Sequence, residues 1–304
     1  MLSNFKTVAA ILLAMFCISI MDTIIKMLSG VYALHQLVFI RASISLAILL
    51  PLLLRFGVTA LKTQRPGAHL SRGLLLVTAN LTYYIGLASL PLAEASAVVF
   101  TAPVIITVFS WYFLRETLGA LRWSAVLIGL VGMLCVVQPF AVDAQLAYFW
   151  PLIAAFCYAG FAIITRHIGP TERATLLAVT AQCSFLVASG LFGLLLGHGE
   201  FSGHSDPGIE FFLRAWRWPQ GTDLIFLVAI GVFSTITALS ISFAYRSNEA
   251  SFLAPFEYAV LPLVLLWGFL VFNEFPDRLA LLGILLIVTG GLVVWLDGKH
   301  QAKS

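Results

Sequence analysis

Four ionisable residues lie within long apolar stretches of the sequence: Asp22, Lys26, Arg41 and Glu257. A charged side chain costs about 2.5 to 3.5 kcal/mol on membrane-insertion scales, so each needs a partner, water or a function. Asp22 and Lys26 are four residues apart and therefore share one face of a helix. This spacing predicts a self-compensating pair near the outer end of the first span, which leaves Arg41 and Glu257 as the stronger candidates for substrate binding.

Arg41 and Glu257 each have a functional and a structural interpretation. Arg41 lies about seven residues into the second apolar stretch, roughly 10 Å deep at 1.5 Å per residue. It can anchor a substrate carboxylate, or extend its long side chain outward to the interface. Glu257 stands between Pro255 and Pro262, and prolines interrupt a helix and free backbone carbonyls. It can bind an ammonium group or a proton, or serve as a hydrogen-bonded structural carboxylate.

Polar and aromatic residues accompany these charges at several points in the apolar stretches. Aromatic side chains in membrane helices commonly serve packing or interfacial anchoring, but clusters with polar neighbours are typical of a binding site. The predicted substrate-binding set is Asn80, Tyr83, Tyr84, Phe100, Thr101, Pro103, Tyr158, Glu257, Tyr258 and Arg41.

The composition requires a bilayer as the solvent. The 304 residues are 61% hydrophobic and 10% charged, with a mean hydropathy of +1.00, which leaves too little polar surface for a water-soluble globule. The formal net charge of +3 does not suggest nucleic acid as a partner. The four cysteines all fall in apolar runs and imply no disulfide framework.

About 20 apolar residues are needed to cross a bilayer, and this template predicts ten helices. They span residues 5–28, 34–54, 71–90, 94–113, 121–138, 147–166, 174–197, 223–246, 250–272 and 278–296. Lys and Arg concentrate in the loops that are cytoplasmic when the N-terminus is inside, and Arg72 is counted among these loop residues. Both termini are therefore predicted to be cytoplasmic. In the long outer loop, residues 211–218 are expected to lie along the membrane surface.

An internal repeat divides the chain. Residues 14–17 (AMFC) match 154–157 (AAFC), and the same offset pairs Lys26 with Arg166. Further along, Glu94-Ala95-Ser96 recurs as Glu249-Ala250-Ser251. Each half would hold five helices, an odd number, so the halves would enter the membrane in opposite directions. The predicted fold class is an all-α polytopic membrane protein with repeats at 1–140 and 146–298 and a cytoplasmic tail at 299–304.

Signatures of familiar enzymes are missing from the sequence. There is no G-x-x-x-x-G-K-[ST], H-E-x-x-H, G-x-S-x-G or G-x-G-x-x-G motif. His198, Glu200, His204 and Asp206 fit no standard metal spacing. We therefore predict no catalytic residues, no metal and no cofactor, and transport driven by solute or ion gradients.

These residues also resemble a known family. Two segments carry the resemblance, each with a proline and a Gly-containing helix further on. The first comprises 87–96 (LASLPLAEAS), Pro103 and 114–118 (LRETL); the second comprises 244–251 (AYRSNEAS), Pro262, Asn273-Glu274 and Gly290. They are similar to the EamA-type repeat of the drug/metabolite transporter superfamily, and Arg41 matches the basic residue typical of that family's second helix. The resemblance implies ten helices in inverted repeats, a bacterial inner membrane and a central cavity opening alternately to each side.

Within that superfamily the chain looks most like the bacterial aromatic amino-acid exporters of the YddG type. Aromatic residues around a cavity would suit a flat, apolar side chain. We therefore expect export of aromatic or hydrophobic amino acids, with lipid around the protein and oligomer formation left open. The alternatives are a nucleoside-like or cationic metabolite, an intramembrane lipid-modifying enzyme, and a receptor or scaffold without flux.

Overall fold

The chain is built of helices. The computed structural model describes residues 2–57, 62–63, 65–114, 119–138, 146–169, 171–247 and 256–301, and these contain no strand. In chain order the α-helices are α1 (Leu2–Leu28), α2 (Leu34–Leu54), α3 (Pro66–Ser89), α4 (Leu92–Val99), α5 (Ala102–Leu114), α6 (Ala120–Val137), α7 (Phe149–Ile168), α8 (Ala174–Leu196), α9 (Pro207–Leu213), α10 (Asp223–Ser247), α11 (Val260–Phe272) and α12 (Arg278–Gln301). A 3₁₀ turn, Leu146–Tyr148, leads into α7.

Six helical segments among the described residues are long and apolar enough to cross a membrane. They are Lys6–Leu28, Leu34–Leu54, Leu92–Phe113, Leu146–Ile168, Ala174–Leu196 and Asp223–Ala244. Shorter apolar stretches lie in α6, α11 and α12. The prediction of a polytopic all-α membrane protein is therefore confirmed, while the count of ten spans stays a prediction.

The fourth predicted span is not one continuous helix. It breaks at Phe100 and Thr101, between α4 and α5. Pro103 is the second residue of α5, where the absence of a backbone N–H costs nothing and the preceding residues are pushed out of helical geometry. Pro103 therefore accompanies a break that divides the fourth predicted span.

The ninth predicted span is not one continuous helix among its described residues. Residues 256–257 are helical, residues 258–259 form a turn, and the long helix α11 starts at Val260, so Glu257 lies just before the turn. Pro262 falls in the first turn of α11, where a proline is tolerated, so it does not kink the middle of the helix. Pro255 lies outside the described residues.

The helices pack in corresponding pairs drawn from the two parts of the chain. The closest associations are α6 with α12, α3 with α7, α1 with α10, and α2 with α8. If the halves correspond as the sequence repeat suggests, α1 matches α7 and α3 matches α10. The α1–α10 pair then corresponds to the α3–α7 pair, while the α2–α8 and α6–α12 pairs each correspond to themselves. The packing agrees with a two-fold relation, and the inverted repeat stays a prediction.

Two glycines let α6 and α12 approach closely. A Cβ placed on Gly132 would lie 2.8 Å from the carbonyl oxygen of Gly283 and 2.9 Å from the Ile287 side chain. Small residues commonly allow this kind of contact between membrane helices. The pair therefore sets the separation of the two helices.

Replacing Gly132 by alanine is expected to destabilise the protein by about 1 to 3 kcal/mol, because the added methyl overpacks a backbone contact. The measurement is thermal unfolding in detergent. Gly67→Ala is the matched control, since a Cβ there meets nothing within 4 Å. Equal unfolding temperatures for both variants would contradict the role of this contact.

The long outer loop folds onto the helical bundle. Phe211 in α9 is buried, and the Trp216 ring packs against Gly193 and Gly197 of α8 while its indole N–H donates to His35. Phe211 and Trp216 therefore contact the helices, and the prediction that residues 211–218 lie along the membrane surface stays a prediction. Gly193 and Gly197 leave room for the Trp216 ring.

Asp206, which caps α9, and Glu210, which lies within α9, order the long loop. Asp206 accepts a hydrogen bond from the Ile209 amide at 2.8 Å, as an N-cap does. Glu210 accepts from the Gly203 and His204 amides at 2.7 and 3.0 Å. The bond from the Gly203 amide, with help from the other, holds the pKa of Glu210 below its usual value. These acidic residues therefore bind backbone of their own loop.

Candidate functional site

A cavity of about 190 Å³ lies among α1, α2, α3, α7, α8 and α10, beside the break between α4 and α5. Most of the predicted substrate-binding residues reach it, from five separate parts of the chain. Those that line it are Arg41, Asn80, Tyr83, Tyr84, Phe100, Tyr158 and Glu257. The packing therefore gathers side chains that are far apart in sequence around one cavity.

Asp22 lines the cavity and is held by two tyrosines. The Tyr83 and Tyr84 hydroxyls each donate to one carboxylate oxygen of Asp22, both at 2.8 Å. Tyr83 also shares a hydrogen bond with Ser96 of α4 at 3.0 Å. Asp22 is only 3% exposed, so its carboxylate depends on these hydroxyls. The predicted Asp22–Lys26 pair is therefore wrong: Asp22 faces the cavity.

Lys26 instead points to the end of the bundle that the sequence predicts to lie outside. Its ammonium lies 2.7 Å from a carboxylate oxygen of Glu274 and donates to the Leu90 carbonyl at 2.7 Å. Glu274 also accepts a hydrogen bond from the Leu92 amide at 2.9 Å. Although Asp22 and Lys26 are spaced for a helical pair, each has a better-placed partner on another element. We call Lys26, Glu274 and the Leu90–Leu92 backbone the outer ion pair.

Arg41 stays inside the protein rather than extending to the interface. It is 2% exposed and donates to the Asn80 amide oxygen at 2.8 Å and to the Tyr84 hydroxyl at 3.4 Å. The Phe185 ring lies 4.8 Å from its guanidinium carbon, within range of a cation–π interaction. Through Tyr84, Arg41 is joined to Asp22. The outward-extending alternative for Arg41 is therefore excluded by its contacts.

The remaining predicted residues lie around Glu257. Tyr158 donates to a Glu257 carboxylate oxygen at 3.3 Å, and Glu257 is 1% exposed. Tyr258 lies behind the cavity wall, with its ring centroid 6.5 Å from that of Phe100. The Thr101 hydroxyl donates to the Val98 carbonyl at the helix break. Binding roles for these residues stay predictions, and the Pro103 side chain lies outside the described residues.

Arg72, at the start of the predicted third span, was expected to face the cytoplasm but lines the cavity and is 2% exposed. α3 begins at Pro66, five residues before the predicted start, so Arg72 lies further inside the helix than predicted. It donates to the Thr165 hydroxyl at 2.9 Å and to the Leu177 carbonyl at 2.6 Å. The expected cytoplasmic position is therefore wrong, because α7 and α8 supply acceptors that hold the guanidinium inside the bundle.

Four polar residues of the cavity wall were also missed: Gln182 in α8, and Ser234, Thr237 and Ser242 in α10. The Gln182 amide nitrogen donates to the Ser234 hydroxyl at 2.9 Å. Isolated polar residues in apolar helices are the only sequence signal for them, and many such residues bond their own helix backbone. Only the packing shows that these four face one cavity.

The described residues contain no group of three or more His, Cys, Asp or Glu side chains placed to hold a metal. Within the outer loop, Asp206 caps α9 and the His204 amide binds Glu210. Of the four loop residues His198, Glu200, His204 and Asp206, the Asp206 side chain and the His204 backbone amide therefore have partners within the loop.

Comparison with known proteins identifies the class. The model of the EamA-like transporter family matches residues 5–138. The chain is 31% identical over 252 residues to a riboflavin transporter of Vibrio cholerae, covering 82% of this chain and 78% of that one. It is 26% identical over 303 residues to an S-adenosylmethionine uptake transporter of Rickettsia conorii, covering 96% and 95%. A pseudopaline exporter of Pseudomonas aeruginosa is 27% identical over 277 residues, covering 91% of each chain.

The fold has a counterpart among solved structures. A crystal structure superposes with a TM-score of 0.68 at 20% identity, covering 96% of this chain and 98% of the other. The relatives above are named for transport of small molecules, and none is named as an enzyme. The family match, the relative more than 30% identical and the buried cavity agree with one another: this protein belongs to the EamA-like transporter family and is a membrane-embedded transporter of small metabolites.

Proposed function

We propose that the protein moves a metabolite with a flat heteroaromatic ring and a polar or charged group, of the nucleoside-like or flavin-like kind. The observation that carries this proposal is the cavity itself, where aromatic rings and charges of both signs meet. Such pockets bind by burying apolar area and orient the ligand through a few polar groups.

The aromatic part of the lining supports a flat substrate. Phe100 at the α4–α5 break, Tyr158 and Phe161 in α7, and Phe185 in α8 all border the cavity, so the rings come from three parts of the chain. Aromatic pairs contribute about 0.5 to 1.5 kcal/mol beyond the area that they bury. A planar ring between these side chains would gain from several such contacts.

The charged part of the lining supports a substrate with polar or charged groups. Asp22 and Arg41 lie on one side of the cavity, and Arg72 and Glu257 line it as well. Buried charges are costly unless they are paired or hydrogen-bonded, and the contacts of Asp22, Arg41 and Arg72 are mostly to neutral groups. They can therefore receive a charged substrate group without first breaking a direct ion pair between them.

Relatives favour the heteroaromatic class over amino acids. Riboflavin and S-adenosylmethionine, after which two of the relatives are named, both contain a flat nitrogen heterocycle linked to a polar chain. The sequence-based alternative of a nucleoside-like or cationic metabolite fits these names better than the leading prediction of aromatic amino acids.

Export of aromatic or hydrophobic amino acids is the second candidate. Its support is the combination of stacking rings with acidic and basic groups in one cavity, since a zwitterion needs both signs of charge. Tryptophan would place its ring among the aromatic side chains and its ammonium and carboxylate against the charges.

The mechanism that we propose is alternating access between two inverted repeats, residues 1–140 and 146–298, in an inner membrane with both termini cytoplasmic. Discontinuous helices near the midplane are typical of such transporters, and the breaks near Phe100 and before Val260 are of this kind. Helices that break at the cavity can rock separately on either side of it.

Counterflow in proteoliposomes tests the proposal. Purified protein would be loaded with unlabelled compound and offered labelled riboflavin, S-adenosylmethionine, tryptophan or phenylalanine, with glutamate as the charged control. We expect flux of riboflavin or S-adenosylmethionine at least tenfold above protein-free vesicles. Flux of tryptophan and phenylalanine alone would replace the proposal by the amino-acid candidate. Flux of none of the four would contradict both.

A further inference from the structure

Several buried polar atoms have no hydrogen-bond partner among the described residues, and two of them belong to the same stretch of cavity wall. They are the amide oxygen of Gln182 and the hydroxyl of Thr237. A buried polar group left without a partner costs about 1 to 3 kcal/mol, and native proteins contain few of them. An unmet hydrogen bond beside a binding cavity therefore points to a ligand.

The geometry places the two groups on one strip. Gln182 is 3% exposed, and its amide nitrogen already donates to Ser234 at 2.9 Å. Thr237 is three residues beyond Ser234 on α10, so the two share a helix face. Turning the Gln182 amide over would exchange its oxygen and nitrogen but would still leave one of them unpartnered on that side. The strip, which we call the α8–α10 polar strip, thus consists of Gln182, Ser234 and Thr237.

The chemistry of the strip specifies what it can recognise. The carboxamide oxygen accepts a hydrogen bond, and the threonine hydroxyl can donate one. An acceptor next to a donor complements a ring edge on which an N–H stands beside a carbonyl, as in a lactam or imide. The rings of phenylalanine and tyrosine have no such edge.

We propose that Gln182 and Thr237 are specificity-determining residues that read the amide-like edge of a heteroaromatic substrate. This inference rests on the proposed function and names the part of the substrate that the α8–α10 polar strip binds. The substrate ring would lie among the aromatic side chains with its N–H toward Gln182 and its carbonyl toward Thr237. Both atoms are buried, so the proposed contact requires the cavity to widen beside them.

The test uses two probes that differ only at that edge. Riboflavin carries an imide N–H on its ring, and 3-methylriboflavin carries a methyl group in its place. Counterflow should give the wild-type protein a value of kcat/KM at least about tenfold higher for riboflavin, since one hydrogen bond and a steric clash separate the two probes. Thr237→Val and Gln182→Leu should each reduce this ratio several-fold.

Stability distinguishes recognition from a structural role. Removing a buried hydroxyl that has no partner, as Thr237→Val does, should leave the unfolding temperature unchanged or raise it. Gln182→Leu also removes the hydrogen bond to Ser234 and should lower it. Thr235→Val is the matched control: it is buried on the same helix, but its hydroxyl already donates to the Gly231 carbonyl at 2.9 Å. That variant should keep the wild-type riboflavin ratio.

Three results would overturn the inference: equal flux of the two probes by wild-type protein, an unchanged ratio in both variants, or a fall in the unfolding temperature of Thr237→Val that accompanies its loss of discrimination. Equal flux of the probes would leave the proposed function standing. Absence of flux for every compound in the counterflow panel would instead overturn the proposed function, and this inference with it.

Discussion

Replacing Arg41 by methionine is expected to abolish transport and to destabilise the fold. Arg41 donates to Asn80 and Tyr84 and lies against the Phe185 ring. Hydrogen bonds from charged groups contribute about 1.5 to 3 kcal/mol each. Methionine keeps the apolar volume but removes these bonds and the only basic side chain in the Asp22–Tyr84–Arg41 chain of contacts.

The expected loss of stability has an identifiable source, so a second substitution can restore stability without restoring transport. Without Arg41, the buried Asp22 carboxylate loses the positive charge that reaches it through Tyr84, and an uncompensated buried charge costs up to about 3 to 5 kcal/mol. The double variant Asp22→Asn, Arg41→Met removes that charge. It should recover most of the unfolding temperature and still carry no substrate.

A conservative variant and a remote control complete the experiment. Arg41→Lys keeps the positive charge but loses the planar fork that reaches two partners, so we expect near-normal stability and flux reduced at least tenfold. Arg55→Met lies at the other end of the same helix, where Arg55 is exposed, and should transport within about twofold of wild type, as surface substitutions usually do. Wild-type flux from Arg41→Met would show that the binding site does not include this charge.

Much of the fold follows from hydropathy alone. α2 has the predicted limits, and the predicted limits of α8 differ from those observed by a single residue, because runs of apolar residues end sharply at polar loops. Helix breaks are harder to predict. A proline near Phe100 indicates a break, but whether the helix stops or bends depends on the neighbours that satisfy the freed backbone groups.

The site residues illustrate why tertiary partners limit prediction from sequence. Asp22 and Lys26 have the spacing of a helical pair, which contributes only about 0.2 to 0.5 kcal/mol. Two tyrosine hydroxyls from α3 and a carboxylate more than 240 positions away offer stronger contacts. Arg72 likewise belongs to the cavity wall rather than to the cytoplasmic end of its helix, because α7 and α8 supply acceptors for its guanidinium.

The second large effect is expected from breaking the outer ion pair, which we infer to keep the cavity closed to the outside. Lys26 of α1 binds both Glu274, which follows α11, and the Leu90 carbonyl between α3 and α4. It therefore joins the two proposed repeats at the end of the bundle that we assign to the outside. If the repeats separate there when the cavity opens outward, these contacts must break, and they stabilise the outward-closed state.

Several contacts on partly buried groups make this pair stronger than a surface ion pair. The Lys26 side chain is 11% exposed, and its ammonium also lies 5.0 Å from the Phe272 ring centroid. Loss of about 2 to 3 kcal/mol from the closed state would shift the equilibrium toward the outward-open state by roughly 30- to 150-fold. A transporter biased so strongly to one state should lose most of its flux.

We expect Lys26→Met to expose the cavity to the outside. In a background without the four natural cysteines, Ala79→Cys would place a thiol in the cavity wall. A membrane-impermeant thiol reagent added from outside should then react at least tenfold faster when Lys26 is methionine, with counterflow reduced by a similar factor. Glu274→Gln should have a smaller effect in the same direction, because glutamine still accepts from the Leu92 amide.

The control removes a weaker bridge at the same end of the bundle. Gln138 donates to Asp277 at 2.8 Å in an exposed position, where a hydrogen bond competes with water. Gln138→Asn shortens that side chain, and asparagine tolerates the left-handed backbone conformation at this position, where φ is 45°. Labelling should stay near the wild-type rate. If Lys26→Met labels no faster than this control, the outer ion pair holds the fold together without gating the cavity, and the outer gate must lie elsewhere.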